Sequence, residues 1–324
     1  MTVLVTGAAG FIGSYICAAL LERGEHVVGV DNLNAYYDVR LKQYRLAKLE
    51  NGAHGNAFDF YHLDISDREA MTNLAHSHAP TLTHIVHLAA QAGVRYSLEQ
   101  PFAYLESNLA GQLVMLELCR NLPNLRHFVY ASSSSVYGNN TPAPFAVEAR
   151  TDAPASLYAA TKKAGELMAH SYSHLYSIPA TGLRFFTVYG AAGRPDMAYF
   201  LFTQAILEGT PVRLFNRGEM KRDFTYIDDI VAGTLACLDT PRGGHRVYNL
   251  GNNNPVELQR FLAVLESSLG KKARIEEADM QPGDVYETCA DITASTRDFG
   301  FAPRTPIEDG LPRFVAWYRD YYRI

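Results

Sequence analysis

Tyr158-Ala159-Ala160-Thr161-Lys162 puts a phenol and an ammonium four residues apart, on one face of a helix. A tyrosine with an ordinary pKa of ~10 is a poor base at neutral pH. A neighbouring lysine cation would stabilise its phenolate and let it take a proton from a substrate hydroxyl. Spacing alone is weak in a chain with 20 tyrosines, and Tyr44…Lys48 repeats it. Context separates the two pairs. Tyr44 belongs to a Lys/Arg-studded helix read as surface, whereas Tyr158 follows a strand ending in Ser132-Ser133-Ser134-Ser135. A hydroxyl at that strand end could bond the same substrate oxygen. Tyr158 and Lys162 are therefore read as catalytic, and Tyr44 and Lys48 as an ordinary pair on a surface helix without a chemical role.

A phenol that takes a proton from an alcohol needs a partner that takes the hydride. Gly7-Ala8-Ala9-Gly10-Phe11-Ile12-Gly13 directly follows the apolar run Val3-Leu4-Val5 and opens a helical pattern. The first glycine permits a tight turn and the second lets a pyrophosphate approach the backbone. The third allows close helix–strand packing, and the helix N-terminus favours the phosphates. Asp31 ends the next strand, ~20 residues on, where an acid can hold ribose hydroxyls. No arginine follows it, so NAD is expected rather than NADP. Asp64 and Ile65, after the third strand, are candidates for the adenine, although Asp64 reads nearly as well as a helix cap. The positive nicotinamide would add to Lys162 in stabilising the Tyr158 phenolate.

These groups need a scaffold of alternating strands and helices. A helix is predicted over 11–23, stopped by Gly24, and strands at 26–30, 57–62, 84–88, 126–131, 180–185 and 246–250. Strands alternating with helices give an α/β fold, a Rossmann-type doubly wound parallel sheet. After about residue 186 the pattern loosens. The expected division is an NAD-binding domain of residues 1–186 and 223–251, and a smaller mixed α/β substrate-binding lobe of 187–222 and 252–324. The two interleave because 246–250 returns to the first sheet.

The chain of 324 residues has a net charge of −5, is 48% hydrophobic and 19% charged, and carries no basic block. That fits a globular protein and argues against a nucleic acid or an anionic membrane surface as partner. Residues 1–21 are uncharged, but glycines interrupt them and no basic segment precedes, so neither a signal peptide nor a membrane span is expected. Cys17, Cys119, Cys237 and Cys289 are widely spaced, which predicts reduced core thiols in a cytoplasmic protein. His76 and His78 lack a companion acid or cysteine cluster, so no metal is expected. One of Asp228 and Asp229 is expected to cap a helix starting near Ile230. Arg95 either borders the substrate cleft or pairs with Glu99 at i+4.

The opening T-G-A-A-G-F-I-G, the strand-end S-S-S-S-V-Y-G and the Tyr158…Lys162 pair resemble the extended short-chain dehydrogenase/reductases that act on nucleotide sugars, over essentially the whole chain. The resemblance implies that Ser133 completes a Ser–Tyr–Lys triad and that Lys162 also binds the nicotinamide ribose. It places Asn32, Leu88, Ala89, Ala90, Asn108 and Phe185 around the cofactor. Family dehydratases carry an Asp-Glu pair where this chain has Ser134 and Ser135, so dehydration is disfavoured. Gly193-Arg194-Pro195-Asp196-Met197-Ala198, the segment from Leu214 to Phe224, and Gln281-Pro282-Gly283-Asp284-Val285 are similar to those of UDP-glucuronate 4-epimerases. By that resemblance Arg194 binds the sugar carboxylate, Arg222 and Asp284 hold the UDP portion, and Ser134, Ser135 and Thr187 line the sugar site. One departure is Ala191-Ala192, where those enzymes commonly have Pro-Trp. The implied reaction is NAD-dependent C4 epimerisation of UDP-glucuronate to UDP-galacturonate by a homodimer. Epimerases of UDP-glucose or UDP-N-acetylhexosamines, UDP-glucuronate decarboxylase and a non-catalytic NAD-binding protein remain as other readings, in that order.

Overall fold

The computed structural model describes residues 1–279 and 285–324. Its centre is a sheet of seven parallel strands: β1 (Thr2–Thr6), β2 (His26–Asp31), β3 (Phe58–His62), β4 (Leu82–His87), β5 (His127–Ser133), β6 (Ala180–Phe185) and, after three short strands, β10 (His245–Leu250). The order across the sheet is β3-β2-β1-β4-β5-β6-β10, so its direction of growth reverses between β1 and β4. A cleft opens at such a reversal, beyond the carboxyl ends of the strands.

Helices α1 (Phe11–Glu22), α2 (Val39–Glu50), α3 (Arg68–His78), the short α4 (Tyr96–Glu99) and α5 (Pro101–Tyr104), α6 (Gly111–Asn121) and α7 (Leu157–Tyr176) connect these strands. Strands β1, β2, β4, β5 and β6 are buried along nearly their whole length, which is why their cores read as apolar runs, whereas the edge strands β3 and β10 are partly open. The alternation is visible residue by residue. Val3, Val5, Val27, Val86 and Val129 face one cluster with Ile16 and Leu20 of α1. Leu4, Val28, Ile85 and Phe128 face another with Met71 of α3, Met115 and Leu116 of α6 and Ala169 of α7.

The rest of the chain builds two small sheets. The first pairs β7 (Thr187–Tyr189) in parallel with β9 (Lys221–Tyr226), and β9 antiparallel with β11 (Pro255–Glu257); the second pairs β8 (Pro211–Phe215) with β12 (Arg274–Ala278). Helices α8 (Ala198–Glu208), α9 (Ile227–Leu238), α10 (Leu258–Leu269), α11 (Thr293–Phe299) and α12 (Ile307–Tyr322) complete the structure. Helices α8, α10 and α12 pack on one another, whereas α9 and α11 lie against the large sheet. Strand β10 pairs with β6 along its whole length, from His245 against Ala180 to Leu250 against Phe185.

The acidic pair on α9 differs from expectation. The helix starts at Ile227, with Asp228 and Asp229 already inside its first turn. The Asp229 carboxylate instead accepts the backbone N–H groups of Arg304 and Thr305 at 3.1 and 3.0 Å, and so ties down the approach to α12. Tyr44 is part of the packing: the Trp317 indole N–H donates to its hydroxyl at 3.2 Å, and Lys48 lies over its ring.

Candidate active site

The turn after β1 is built around missing side chains. Gly7 has φ +74°, and a Cβ there would meet the backbone N of Ala89 at 2.8 Å; a Cβ on Gly13 would fall 1.9 Å from the Gly7 carbonyl oxygen. The N–H of Gly7 is held by the Val30 carbonyl at 2.7 Å, so the turn is locked onto β2. Asp31, at the end of β2, is buried, and its carboxylate accepts the N–H groups of Ala9 and Leu33 at 3.1 and 2.8 Å. A cradle closed to any Cβ, with a helix N-terminus and a fixed carboxylate beside it, fits a dinucleotide.

The cleft over this turn encloses about 1330 Å³, its open mouth included. Gly7, Gly10, Phe11, Ile12, Gly13, Asp31, Asn32, Ile65, Leu88, Ala89 and Ala90 line the end nearest the glycine turn. Ser133, Tyr158, Lys162, Phe185 and Arg194 line the other. Two candidates stand a layer back. The Asp64 carboxylate accepts from Asn32 Nδ2 and from the N–H and hydroxyl of Ser66, which holds Asn32 in place. Asn108 sits in a wide π turn (Leu105–Ala110) and is buried. Its Oδ1 accepts the Gln91 N–H at 2.8 Å, and its Nδ2 donates to the Gln91 carbonyl and to the Thr161 hydroxyl, both at 3.0 Å. It thereby pins the segment after β4 to α7. A π turn at a functional position is a recurrent use of that geometry.

The triad residues meet at the end of β5 and the start of α7. Ser156 caps α7 through the Ala159 N–H, which sets the phase that turns Tyr158 and Lys162 to the cleft. Burial pushes the Tyr158 phenol up, while a hydrogen bond with Ser133 and the nearby Arg194 cation pull it back. Burial lowers the Lys162 ammonium to about 8. Its Nζ donates to the Ala131 carbonyl at 2.9 Å. Lys162 was expected to tune the phenol directly; here the groups opposing burial are Ser133 and Arg194, because the ammonium is turned to the strand. When bound, the positive nicotinamide would draw the phenol further down.

The sugar-side candidates divide. Arg194 lines the cleft and Ser133 faces it, with Ser134 and Ser135 in the following turn; the Ser135 N–H donates to Ser133 Oγ at 3.2 Å. Thr187 begins β7, next to Phe186 and Val188 of the lining. Arg95 is exposed, with its guanidinium 5.2 Å over the Phe215 ring, and Arg222 donates to the carbonyls of Lys221 and Tyr286. Neither is part of the cleft lining. Asp284 lies outside the described residues.

Sequence reasoning passed over three residues that build this site. Lys42 and Arg45, assigned to a surface helix, are both buried. Lys42 lines the cleft 3.8 Å from Asp31. Arg45 donates to the Ala192 carbonyl at 3.0 and 2.7 Å, to the Gly193 carbonyl at 3.1 Å, to the Ala9 carbonyl at 3.0 Å and to the Tyr37 hydroxyl at 2.7 Å. It clamps the loop carrying Arg194 to the glycine turn. Tyr15 adds a bond to the Ala191 carbonyl, so Ala191-Ala192 are held by their backbone and need no large side chains. The third is Glu166, one turn beyond Lys162, whose buried carboxylate accepts two bonds from Arg184. Among the described residues no cluster suits a metal ion, and His78 is occupied by the Tyr61 hydroxyl.

Comparison with known proteins places these features. The sequence profile of the NAD dependent epimerase/dehydratase family matches residues 3–251. UDP-glucuronate 4-epimerase 4 of Arabidopsis thaliana is 49% identical, over 99% of this chain and 76% of its own length. Protein CapI of Staphylococcus aureus is 46% identical over the full length of both. A crystal structure of UDP-glucuronic acid 4-epimerase from Bacillus cereus, in complex with UDP-glucuronic acid and NAD, superposes with a TM-score of 0.92 at 35% identity, covering 99% of this chain and all of that one.

Proposed function

Since the chain belongs to the NAD dependent epimerase/dehydratase family, we propose that it interconverts UDP-glucuronate and UDP-galacturonate at C4 of the sugar. The observation that carries this reading is the position of Arg194, which lines the same cleft as Ser133, Tyr158 and Lys162. A planar fork suits a carboxylate, and a uronate carries its carboxylate on the carbon next to C4. NAD, when bound, supplies reversible hydride acceptance opposite C4. Ser133 orients the O4 hydroxyl, Tyr158 takes its proton and later returns it with Ser133 and Arg194 favouring its phenolate, and Lys162 holds the nicotinamide ribose. Asp31, with Asn32 and Lys42 beside it, is assigned to the adenosine ribose, and Ile65 to the adenine edge.

Oxidation at C4 makes a β-keto acid, which is prone to lose its carboxylate. The chain must hold that group away from the orientation in which the C–C bond breaks while the sugar presents its other face. The grip of Arg194 on the carboxylate serves this purpose. Arg222 and Asp284 are assigned to the UDP portion.

A homodimer is part of the proposal. Leu98, Phe102, Leu105 and Leu113, from α4 through α6, and Leu167, Leu175 and Tyr176 of α7 are large and exposed, on helices that pack side by side. Covering them with a second copy removes that apolar surface from water. A cytoplasmic setting is supported by four buried, unpaired cysteines. No helix among the described residues is long and apolar enough to cross a membrane.

Proton NMR of the purified protein with UDP-glucuronate and no added nucleotide tests the reading. UDP-galacturonate should appear without carbon dioxide, and Tyr158→Phe should abolish it while NAD stays bound. A UDP-pentose product would establish decarboxylation instead. No turnover with NAD added, but turnover of UDP-glucose, would move the assignment to neutral sugars.

A further inference from the structure

The carboxylate-binding arginine already holds a carboxylate. Arg194 Nε donates to Asp196 Oδ1 at 3.0 Å and its Nη2 donates to Oδ2, a two-bond pairing along one edge of the guanidinium. Tyr36 also interacts with the guanidinium, no hydrogen bond engages Nη1 among the described residues, and Arg194 lines the cleft. Asp196 itself stands off the cleft lining. Its Oδ2 also accepts the Tyr36 hydroxyl at 3.0 Å.

Tyr36 is fixed in turn. Its ring lies 4.7 Å from that of Tyr96, and its hydroxyl occupies the space where a Cβ on Gly93 would sit, 2.4 Å away. The chain Gly93–Tyr36–Asp196–Arg194 therefore ends on an arginine of the cleft lining. The two charged side chains are only 25% and 30% exposed, so their mutual neutralisation is screened less than at an open surface.

We propose that Asp196 is a resident counter-ion that keeps the Arg194 grip on the substrate carboxylate loose enough to be released and remade within each turnover. The inference rests on the epimerase reading above. Inversion at C4 requires the keto sugar to present both faces, and its carboxylate, on the adjacent carbon, must swing with it. A lone buried guanidinium would hold that anion too firmly for the swing. One already sharing its charge with Asp196 binds it through Nη1 and lets it go. Tyr36 keeps Asp196 on its own edge, so that it neither enters the cleft nor takes the edge needed by the sugar.

The test compares the wild-type enzyme with Asp196→Asn, an isosteric change that removes the negative charge. For UDP-glucuronate, KM and kcat should both fall by about tenfold, leaving kcat/KM within about threefold, because binding tightens and the turn slows. The KM for a neutral UDP-hexose should stay within about twofold. Tyr36→Phe, which frees Asp196 to compete for the other edge, should raise the UDP-glucuronate KM. If Asp196→Asn raises that KM, or lowers kcat equally for both sugars, Asp196 is only a loop brace and the inference is wrong. Wild-type enzyme that does not epimerise UDP-glucuronate would overturn the functional reading, a separate outcome.

Discussion

Glu166→Gln is the sharpest perturbation of the framework behind the site. Arg184 Nε and Nη2 donate to the two oxygens of Glu166 at 2.8 and 2.9 Å, and each side chain is 3% exposed. The Ser132 hydroxyl adds a bond to Glu166 at 2.7 Å, and Lys163 lies 3.2 Å away. One carboxylate thus joins β5, β6 and α7 immediately behind Ser133, Tyr158 and Lys162. Glutamine keeps the shape but leaves two cations facing a neutral group, and removing one partner of a buried pair costs about 3–5 kcal/mol. Since glutamine still accepts a hydrogen bond, the lower end, about 3 kcal/mol, is expected. At about 2–3 °C per kcal/mol for a chain this long, the thermal midpoint should drop by about 6–9 °C. The double variant Glu166→Leu/Arg184→Met should recover most of that loss, because a well-packed apolar pair carries no buried charge.

The pH dependence follows the same logic. Burial alone would raise the Glu166 pKa, but the Arg184 bonds and charge override it, and the net shift is downward. A folded-state value below the unfolded one means the stabilisation is complete above the ordinary carboxylate range and is lost as pH falls through the folded value. The gap between wild type and Glu166→Gln should therefore be widest near neutrality and close in acid. Calorimetry across pH measures it. A single variant melting within about 2 °C of wild type, or a double variant as unstable as the single, would refute the argument.

The remaining predictions concern the cleft. Lys162 has a pKa of about 8, pulled down by burial, so below that value the fold carries an unfavourable buried charge that is relieved as pH rises towards the ordinary lysine range. Lys162→Met should abolish turnover yet raise stability at neutral pH by roughly 1–2 kcal/mol, after the lost bond to Ala131 is set against the gain; denaturant titration reads this. Arg45→Met should cut kcat/KM for UDP-glucuronate by about a hundredfold by loosening the loop that positions Arg194, with bound NAD retained. Steady-state kinetics within threefold of wild type would show that Arg45 does not place that loop.

Much of the scaffold was legible in the sequence because its signals are local. Apolar runs such as Val3-Leu4-Val5, the glycine spacing from Gly7 to Gly13 and Asp31 at a strand end fix the nucleotide cradle within a few dozen residues. Tyr158 and Lys162 were separable from Tyr44 and Lys48 by the serine-rich strand end. Arg45 was not legible, because its partners include backbone carbonyls up to 148 residues away. A signal did exist: Leu41, Lys42, Arg45, Leu46 and Leu49 form one stripe on α2, so two charges sit on the face that packs inward. Asp196 stands two residues after Arg194 in the sequence, but its pairing depends on how that loop turns. The electrostatics of Tyr158 depend on burial and on where Lys162 points, which spacing does not encode.

The central claim is that hydrogen leaves C4 as hydride and returns to the same carbon on the other face. UDP-glucuronate deuterated at C4, incubated in ordinary water and followed by NMR and mass spectrometry, tests it most directly. UDP-galacturonate that retains the deuterium at C4 is the predicted product. Loss of the label to solvent on inversion would contradict the account.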